Sequence, residues 1–344
     1  MTPLGLDLGT KTIVLARRGE DKRPIFRQEI NGFFEFPRPD NFTKNLLVQQ
    51  QVPFIERDGR IFALGKKAEQ LAYAFNSTLR RPMADGTVSR EQEAINIMAS
   101  IVHAILGKID DEVNLYYCIP ADALNKDTNV KLHQKIAQLI IEGKKSEAKI
   151  NAFPINEARA IAVAADEPAS INCSWGAGMV NVCYSMFGIV PFQFSVVGSG
   201  DWIDVKSAES FGYDANNPNG KYHETPTTIC KQKQRQDDPL DLMKPTNQMS
   251  RVDQIIALNY HILIENVVKG IIDGFTQNAD TARVEQAIPI VMAGGTASPI
   301  GFAEYFEKIL RSYKLPFEVS RVSVHPAPLY VVAEGCLKAA ELHT

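Results

Sequence analysis

An aspartate beside a glycine turn is the first feature of the sequence with evident chemical potential. Residues 4–14, LGLDLGTKTIV, form an apolar run that leads directly into Asp7, Leu8, Gly9 and Thr10. A carboxylate at a strand end suits a hydrated metal ion, and the backbone N–H groups of a glycine turn suit a phosphate. The segment therefore indicates a nucleotide site, although an ordinary β-hairpin with glycine at its turn has the same pattern.

A second strand, glycine turn and strand follow in the other half of the chain. Residues 170–174 have the composition of a strand, residues 176–178 form a Gly-Ala-Gly turn, and residues 179–187 return. Because residues 4–16 have the same arrangement, the sequence contains an internal repeat, which is stronger evidence than either segment alone.

Helices and strands in alternation must position these turns. A strand at residues 113–119, a helix at about 128–143 and a strand near 149–152 predict a crossover unit on a largely parallel sheet. Asp58 and Gly59 lie between two short apolar runs and predict a tight hairpin.

Two polar stretches predict loops and insertions. Residues 37–45 contain two prolines and two asparagines, and we expect a loop or the entry to an inserted piece. Residues 214–250 predict a small irregular insertion, whose charges, including the basic run at 231–235, are expected to form a solvated face.

Composition narrows the class of protein. The chain has 344 residues, of which 45% are hydrophobic and 22% charged, typical of a globular protein of about two domains. A formal net charge of -3 gives no field that would attract nucleic acid, so direct nucleic-acid binding is not expected. Scattered cysteines suit a reducing compartment, and no signal peptide or membrane-anchoring segment is evident. The expected location is the cytoplasm.

Five segments together resemble the actin-like ATPase superfamily, over nearly the whole chain. GLDLGTKT at 5–12 and SWGAGMVN at 174–181 are similar to the two phosphate hairpins. NEARAIAVAA at 156–165 and APLYVVAEGCLKAA at 327–340 resemble the two connecting helices, and IVMAGGTASPIGF at 290–302 resembles the adenosine motif. The segment VPFIERDGRIFALGKKAEQ resembles the short upper insertion of prokaryotic actin homologues such as MreB and MamK.

The resemblance implies an α/β, actin-like two-domain fold, made of duplicated ribonuclease H-like domains with small insertions and a nucleotide cleft between the domains. Domain I would comprise residues 1–153 plus 326–344, with an insertion at about 35–88. Domain II would comprise residues 154–325, with an insertion at about 213–250.

The resemblance also implies ATP or ADP with Mg²⁺ as cofactors, and it gives roles to named residues. Asp7 would hold Mg²⁺ through water, and Glu157 in the first connecting helix would orient the attacking water, which makes both the expected catalytic residues. The helix macrodipole alone also favours a glutamate at the position of Glu157. The resemblance also implies that Asp201 or Asp204 lies near the ribose or the metal, and the alternative for either aspartate is a helix N-cap. The residues expected to bind the nucleotide are Gly9, Thr10, Lys11, Thr12, Ser174, Gly176, Ala177, Gly178, Gly200, Asp201, Gly294, Gly295 and Thr296.

The second hairpin departs from the superfamily pattern, which is Asp-x-Gly-x-Gly-Thr-Thr followed by an acidic residue. Ser174, Met179, Val180 and Asn181 occupy the polar positions of that pattern. In the family, the acid that Ser174 replaces helps to hold metal-bound water near the γ-phosphate. Hydrolysis of ATP to ADP and phosphate is therefore expected to be slow or impaired, whereas nucleotide binding is expected to survive.

The function implied by the resemblance is that of an ATP-binding, actin-like cytoskeletal protein. It would self-associate head to tail into nucleotide-dependent filaments, because such contacts do not close. The alternatives are a non-polymerising nucleotide-binding scaffold or chaperone-like ATPase, and a small-molecule kinase of the same fold. The sequence identifies no adaptor or cargo.

Overall fold

The computed structural model describes residues 1–36, 40–75, 77, 79–89, 92–145, 148–218, 220–282, 284 and 286–343. Contacts within the chain define two compact units. Unit 1 comprises Met1–Ile119, Asn129–Ile155 and Cys336–Thr344, and unit 2 comprises Pro120–Thr128 and Asn156–Gly335. The domain boundaries implied by the resemblance stay a prediction.

Unit 1 contains the first ten strands and four helices of the described chain. The strands are β1 (Thr2–Leu8), β2 (Thr12–Arg18), β3 (Pro24–Ile30), β4 (Phe33–Glu35), β5 (Phe54–Arg57), β6 (Arg60–Leu64), β7 (Met83–Ala84), β8 (Thr87–Val88), β9 (Val113–Ile119) and β10 (Ile150–Asn156). The helices are α1 (Asn41–Gln49), α2 (Gly65–Ala74), α3 (Gln92–Leu106) and α4 (Val130–Glu142).

The main sheet of unit 1 has the strand order β10-β9-β1-β2-β3. β1, β2 and β3 form an antiparallel meander, and β1 also pairs in parallel with β9. Leu4, Leu6 and Leu8 of β1 are at most 7% exposed, and this buried set fixes the register of the strand. The turn that follows β1 is thereby held at the end of a rigid strand.

A smaller sheet, with the order β4-β6-β5, lies in the predicted insertion. Asp58 and Gly59 connect β5 to β6 with φ values of 51° and 71°. Positive φ at both central residues is what a two-residue hairpin of type I′ requires. The predicted hairpin is confirmed.

Of the two alternatives for residues 37–45, the loop is wrong for residues 41–45, which begin helix α1 of the insertion. The Asp40 side chain caps this helix by accepting a hydrogen bond from the Thr43 N–H at 2.7 Å. Leu47 anchors the helix in the small core of the insertion. The cap and this buried contact outweigh the polar composition, and residues 37–39 lie outside the described residues.

Unit 2 contains the remaining strands and helices of the described chain. The strands are β11 (Ala169–Trp175), β12 (Met179–Met186), β13 (Ile189–Val197), β14 (Ile288–Ala293) and β15 (Val319–Val324). The helices are α5 (Glu157–Ala165), α6 (Gly200–Glu209), α7 (Pro226–Gln234), α8 (Arg251–Gln277), α9 (Phe302–Leu310) and α10 (Val331–Leu342), the last of which ends in unit 1.

The main sheet of unit 2 has the strand order β13-β12-β11-β14-β15. β11, β12 and β13 form an antiparallel meander, whereas β14 pairs in parallel with β11 and with β15. The first three strands of unit 1 and of unit 2 thus have the same topology, and in both sheets the first strand also pairs with a parallel strand. The internal repeat predicted from the glycine turns is confirmed.

Helix α8 is long and apolar enough to span a membrane by length and composition, with a mean hydropathy of 1.4 over its apolar window. Half of that window is buried within the protein, and the core helix of a soluble protein passes the same test. Ile256, Leu263, Ile264 and Val267 of α8 belong to the main core of unit 2. We therefore interpret α8 as a core helix.

The polar stretch at 214–250 contains helix α7, which starts with a capping box between Thr225 and Thr228. Lys233 of α7 forms an ion pair with Asp204 at 2.7 Å, and Arg235 forms one with Asp253 at 2.9 Å. The Lys233 and Arg235 side chains are only 8% and 15% exposed. The expectation that this basic run forms a solvated face is therefore wrong for these two residues.

Candidate functional site

The first glycine hairpin is closed by its own backbone and braced by a buried asparagine. A Cβ at Gly9 would lie 2.6 Å from the Thr12 carbonyl oxygen, so the tight turn itself requires glycine. Asn31 is fully buried and donates from Nδ2 to the Gly9 carbonyl oxygen at 3.0 Å. Its backbone N–H donates to the Lys11 carbonyl oxygen at 2.9 Å. Asn31 was not predicted, since only the pairing of β2 with β3 brings it to the turn.

Asp7 lies half-buried at the end of β1 and accepts a hydrogen bond from the Cys118 thiol, with Sγ 3.0 Å from Oδ1. The Leu8 N–H donates to the same sulfur at 3.1 Å. Burial raises the pKa of the Asp7 carboxyl to about 6, and the hydrogen bond from Cys118 partly opposes that rise. β1 pairs in parallel with β9, with Leu6 opposite Tyr117, and Asp7 and Cys118 are the next residues along the two strands. Their contact could therefore have been predicted from the sheet order.

The second glycine hairpin joins β11 to β12, with Ser174 directly opposite Asn181. The Gly176 N–H donates to the Met179 carbonyl oxygen at 3.1 Å and closes the turn. Ser174 is 3% exposed and Asn181 is fully buried. The polar residues that replace the acids of the family pattern therefore lie side by side, away from solvent.

Glu157 begins helix α5, where the Asn156 side chain caps the helix by accepting from the Ala158 and Arg159 N–H groups. The Glu157 carboxylate is half-buried, and its Oε2 accepts hydrogen bonds from Ser174 Oγ and Asn181 Nδ2, each at 3.0 Å. The structure therefore brings Glu157 to the second hairpin. A glutamate placed only by the helix macrodipole would have no such partners.

The glycine turn at 294–296 packs against the second hairpin. Gly294 has a φ of 100°, and a Cβ there would lie 2.2 Å from the Trp175 carbonyl oxygen. Thr296 Oγ1 donates to the Gly176 carbonyl oxygen at 2.7 Å. A Cβ at Gly295 would meet only Leu329 Cδ2, at an ordinary 3.5 Å. Packing within the protein thus requires the first glycine of the pair and leaves the second unexplained.

Helix α6 also starts beside the second hairpin, since the Asp201 N–H donates to the Ala177 carbonyl oxygen at 2.9 Å. A Cβ at Gly200 would lie 2.6 Å from Thr296 Oγ1, which explains the glycine. The N-cap residue of α6 is Ser199, so neither Asp201 nor Asp204 is the cap.

Lys233 of helix α7 holds the start of α6 in place. Its Nζ donates to the Gly200 carbonyl oxygen at 2.8 Å, in addition to its ion pair with Asp204. Sequence reasoning missed Lys233, because a basic run in a polar segment gives no sign that one of its members is buried.

Comparison with known proteins identifies the family. A family model described as Volactin matches residues 1–340. The chain belongs to the volactin family. A search of curated proteins finds no match to the sequence.

Solved structures place this volactin-family chain in the actin-like fold. A MamK double helical filament is 18% identical, covers 98% of both chains and gives a TM-score of 0.69. A non-polymerising MamK mutant bound to AMPPNP is also 18% identical, covers 98% of both chains and gives a TM-score of 0.56. The ethanolamine utilization protein EutJ from Carboxydothermus hydrogenoformans is 16% identical, covers 98% of this chain and 89% of its own, and gives a TM-score of 0.54. The predicted α/β, actin-like fold is confirmed.

The chemistry of the first hairpin of this volactin-family chain fits Mg²⁺. Asp7 offers a carboxylate, and Thr10 and Thr12 offer hydroxyl groups, all of which are oxygen donors. Among the described residues, no group of three or more His, Cys, Asp or Glu side chains could hold a metal ion. Mg²⁺ commonly keeps water and phosphate ligands and needs only one or two carboxylates, so a single aspartate suffices.

The predicted site residues fall into two sets. Unit 1 holds Asp7 together with Gly9, Thr10, Lys11 and Thr12 in one hairpin. The contacts within unit 2 bring the remaining predicted residues together, namely Glu157, Ser174, Gly176, Ala177, Gly178, Gly200, Asp201, Gly294, Gly295 and Thr296. Their roles in binding and catalysis stay predictions.

Proposed function

We propose that this chain is an ATP-binding, actin-like cytoskeletal protein that assembles nucleotide-dependent filaments. The observation that carries the proposal is the repeated hairpin. Two sheets contain matching antiparallel meanders, and in each meander a glycine turn connects the first strand to the second. Each turn offers backbone N–H groups to phosphate, and only the first follows an aspartate. We place the protein in the cytoplasm, a reducing compartment that suits its scattered cysteines.

Nucleotide contacts in this proposal come from three glycine turns. Gly9, Thr10, Lys11 and Thr12 of the first hairpin bind phosphate oxygens, and so do Ser174 and residues 176–178 of the second hairpin. Gly295, Gly200 and Asp201 lie on the adenosine side, next to Gly294 and Thr296. The spare room at Gly295 supports this assignment, since a ligand is the remaining reason for a glycine there.

Hydrolysis would depend on positioning and charge stabilisation. Magnesium, when bound, would neutralise charge on the transferring phosphoryl group. Asp7 would hold it through water, and the Glu157 carboxylate would accept a hydrogen bond from the attacking water and orient it. Loss of the acid at position 174 removes a negative charge from the magnesium side, which supports slow turnover.

Self-association into filaments is supported by the similarity to a MamK double helical filament. The same fold occurs in an ethanolamine utilization protein, so the fold alone does not select the filament function. A non-polymerising nucleotide-binding scaffold or chaperone-like ATPase is therefore the second candidate. Sedimentation with and without ATP separates the two, because only the filament protein will pellet.

Calorimetric titration of the full chain with ATP, in Mg²⁺ and in EDTA, tests the nucleotide site. We expect binding in Mg²⁺ that weakens about tenfold or more in EDTA, because the ion links Asp7 to the phosphates. Asp7→Asn should remove most of this difference. Ser170→Ala, at a buried serine of β11 outside the predicted site, is the control. Absence of ATP binding in both buffers would contradict the proposal.

A further inference from the structure

Two neutral side chains hold the carboxylate of Glu157 from one side. Ser174 and Asn181 are directly opposite residues of β11 and β12, so their side chains leave the same face of the hairpin. Ser174 Oγ and Asn181 Nδ2 both donate to Glu157 Oε2, each at 3.0 Å. Both donors are almost fully buried, at 3% and 0% exposure.

The orientation of the Asn181 amide is fixed by a group that can only donate. Its Oδ1 accepts from the backbone N–H of Ala121 at 3.0 Å and from the hydroxyl of Ser195. An amide turned by 180° would bring its NH₂ group against this N–H and its oxygen against the Glu157 carboxylate. Asn181 must therefore present its NH₂ group to Glu157.

The charge of this cluster depends on residues 174 and 181. The superfamily pattern has acids at both positions, whereas here both side chains are neutral donors. A carboxylate at either position would lie within about 3 to 4 Å of Glu157, a distance at which two carboxylates cannot both ionise without a large penalty. Ser174 and Asn181 are thus both compatible with an ionised Glu157, because each donates a hydrogen bond to its carboxylate and neither adds a negative charge.

We infer that Ser174 and Asn181 are positioning residues that hold the Glu157 carboxylate in the single orientation in which it directs the attacking water. The inference deepens the proposed function and rests on the role of Glu157 given there. Fixing Oε2 with two donors sets the direction of the whole carboxylate, including Oε1. Asn181 is in turn held by Ser195 and by the segment 120–128.

This inference reverses one consequence of the family resemblance. If Ser174 is only a lost metal-side acid, Ser174→Asp should raise the rate of hydrolysis. If Ser174 positions Glu157, Ser174→Asp should lower the rate, because a donor becomes a repelling charge. Asn181→Asp should lower the rate for the same reason.

Phosphate release by the full chain, measured over a range of ATP concentrations with Mg²⁺, tests the inference. We expect Glu157→Gln to lower kcat about 100-fold, and Ser174→Ala, Ser174→Asp and Asn181→Asp to lower it about tenfold. The KM for ATP should change less than kcat, since the residues act on the water and not on the nucleotide. Ser174→Thr, which keeps the hydroxyl, should recover most of the loss seen with Ser174→Ala.

A double-mutant cycle separates positioning from a merely structural role. In the Glu157→Gln background, Ser174→Ala should lower kcat no further, because its effect passes through Glu157. Ser170→Ala removes the hydroxyl of a buried serine on the same strand and should leave kcat unchanged. Equal, independent losses in the two backgrounds would overturn the inference, as would a rise in kcat with Ser174→Asp.

The same variants distinguish this inference from the proposed function. A wild type that hydrolyses ATP, loses activity with Glu157→Gln and is indifferent to Ser174→Ala and Asn181→Asp would refute the inference alone. A wild type that releases no phosphate would contradict the hydrolytic role of Glu157. In that case the same double-mutant cycle is measured on the free energy of urea unfolding. We expect a coupling energy between positions 157 and 174, and additive effects would overturn the inferred contact between Ser174 and Glu157.

Discussion

At the scale of single residues, the two glycines of the 294–295 turn have different reasons to be glycine. Gly294 combines a φ of 100° with a backbone approach that leaves no room for a Cβ beside Trp175. Gly295 has neither constraint, since its nearest contact with the protein would be Leu329 at 3.5 Å. The proposed function supplies a reason for glycine at position 295, namely close contact with a bound nucleotide.

The two glycines should therefore respond differently to alanine. Gly295→Ala should leave the free energy of unfolding within about 0.5 kcal/mol and weaken ATP binding about tenfold, because its methyl group meets the ligand. Gly294→Ala should destabilise the protein by about 3 kcal/mol or more. Urea unfolding and ATP titration measure both effects. Undiminished ATP affinity in Gly295→Ala would remove this residue from the site.

Buried His133 should make stability depend on pH. Its Nδ1 accepts from the Val88 N–H at 3.2 Å, it is 2% exposed, and burial lowers its pKa from 6.5 to about 4. Because the unfolded chain binds the proton more tightly, this residue's contribution is present above pH 6.5 and is lost as pH falls toward 4. The loss should be on the order of 3 kcal/mol.

Urea unfolding of His133→Gln between pH 7 and pH 4 tests this dependence. The variant should show a flatter pH profile than the wild type, because glutamine does not titrate. His223→Gln is the control, since the His223 side chain is 93% exposed, and it should retain the wild-type slope. Identical slopes in His133→Gln and the wild type would show that other groups cause the loss.

Residue types alone predicted the turns but not the side-chain partners. Glycine turns and a strand-end aspartate are local features, and, as expected, Asp7 lies near the end of β1 while Gly9 and residues 176–178 lie in turns. The partners of Glu157 are 17 and 24 residues away along the chain. Their meeting depends on strand register and on the start of α5, which composition does not specify.

At the scale of elements, helix α7 is joined to helix α6 by one buried lysine. Lys233 and Asp204 are 8% and 7% exposed in their side chains, and Lys233 also satisfies the Gly200 carbonyl oxygen. Buried ion pairs are weak evidence for net stability, but removal of one partner leaves an uncompensated charge. The pair therefore ties the polar segment 214–250 to the start of α6.

Lys233→Met should destabilise the protein by about 3 to 5 kcal/mol, because it removes the buried cation that pairs with the Asp204 carboxylate. Lys231→Met, at an exposed position of the same helix, should change stability by less than about 0.5 kcal/mol. Thermal unfolding of the two variants gives the comparison. Equal stability would mean that Asp204 finds another cation or is protonated.

The elements themselves were largely predictable, with two exceptions that have the same cause. Helix α1 and the buried face of α7 both lie in polar segments, where composition favours loops. In each, a capping side chain and a few tertiary contacts determine the structure. Local composition does not report such contacts.

At the scale of the whole molecule, sequence repetition was a better guide than composition. The two glycine hairpins predicted a duplicated structure, and the two sheets have matching meanders. Membership of the volactin family and the similarity to MamK and EutJ establish the fold over nearly the whole chain. Assembly is a property of surfaces between copies, and a single chain does not display it.

Sedimentation of the purified full chain, followed by negative-stain electron microscopy of the pellet, tests the central claim most directly. With ATP and Mg²⁺ most of the protein should pellet as filaments, with less pelleting in ADP or without nucleotide. Gly295→Ala should need about tenfold more ATP for the same pelleted fraction. Protein that binds ATP and yet stays in the supernatant under every nucleotide condition would contradict the filament function.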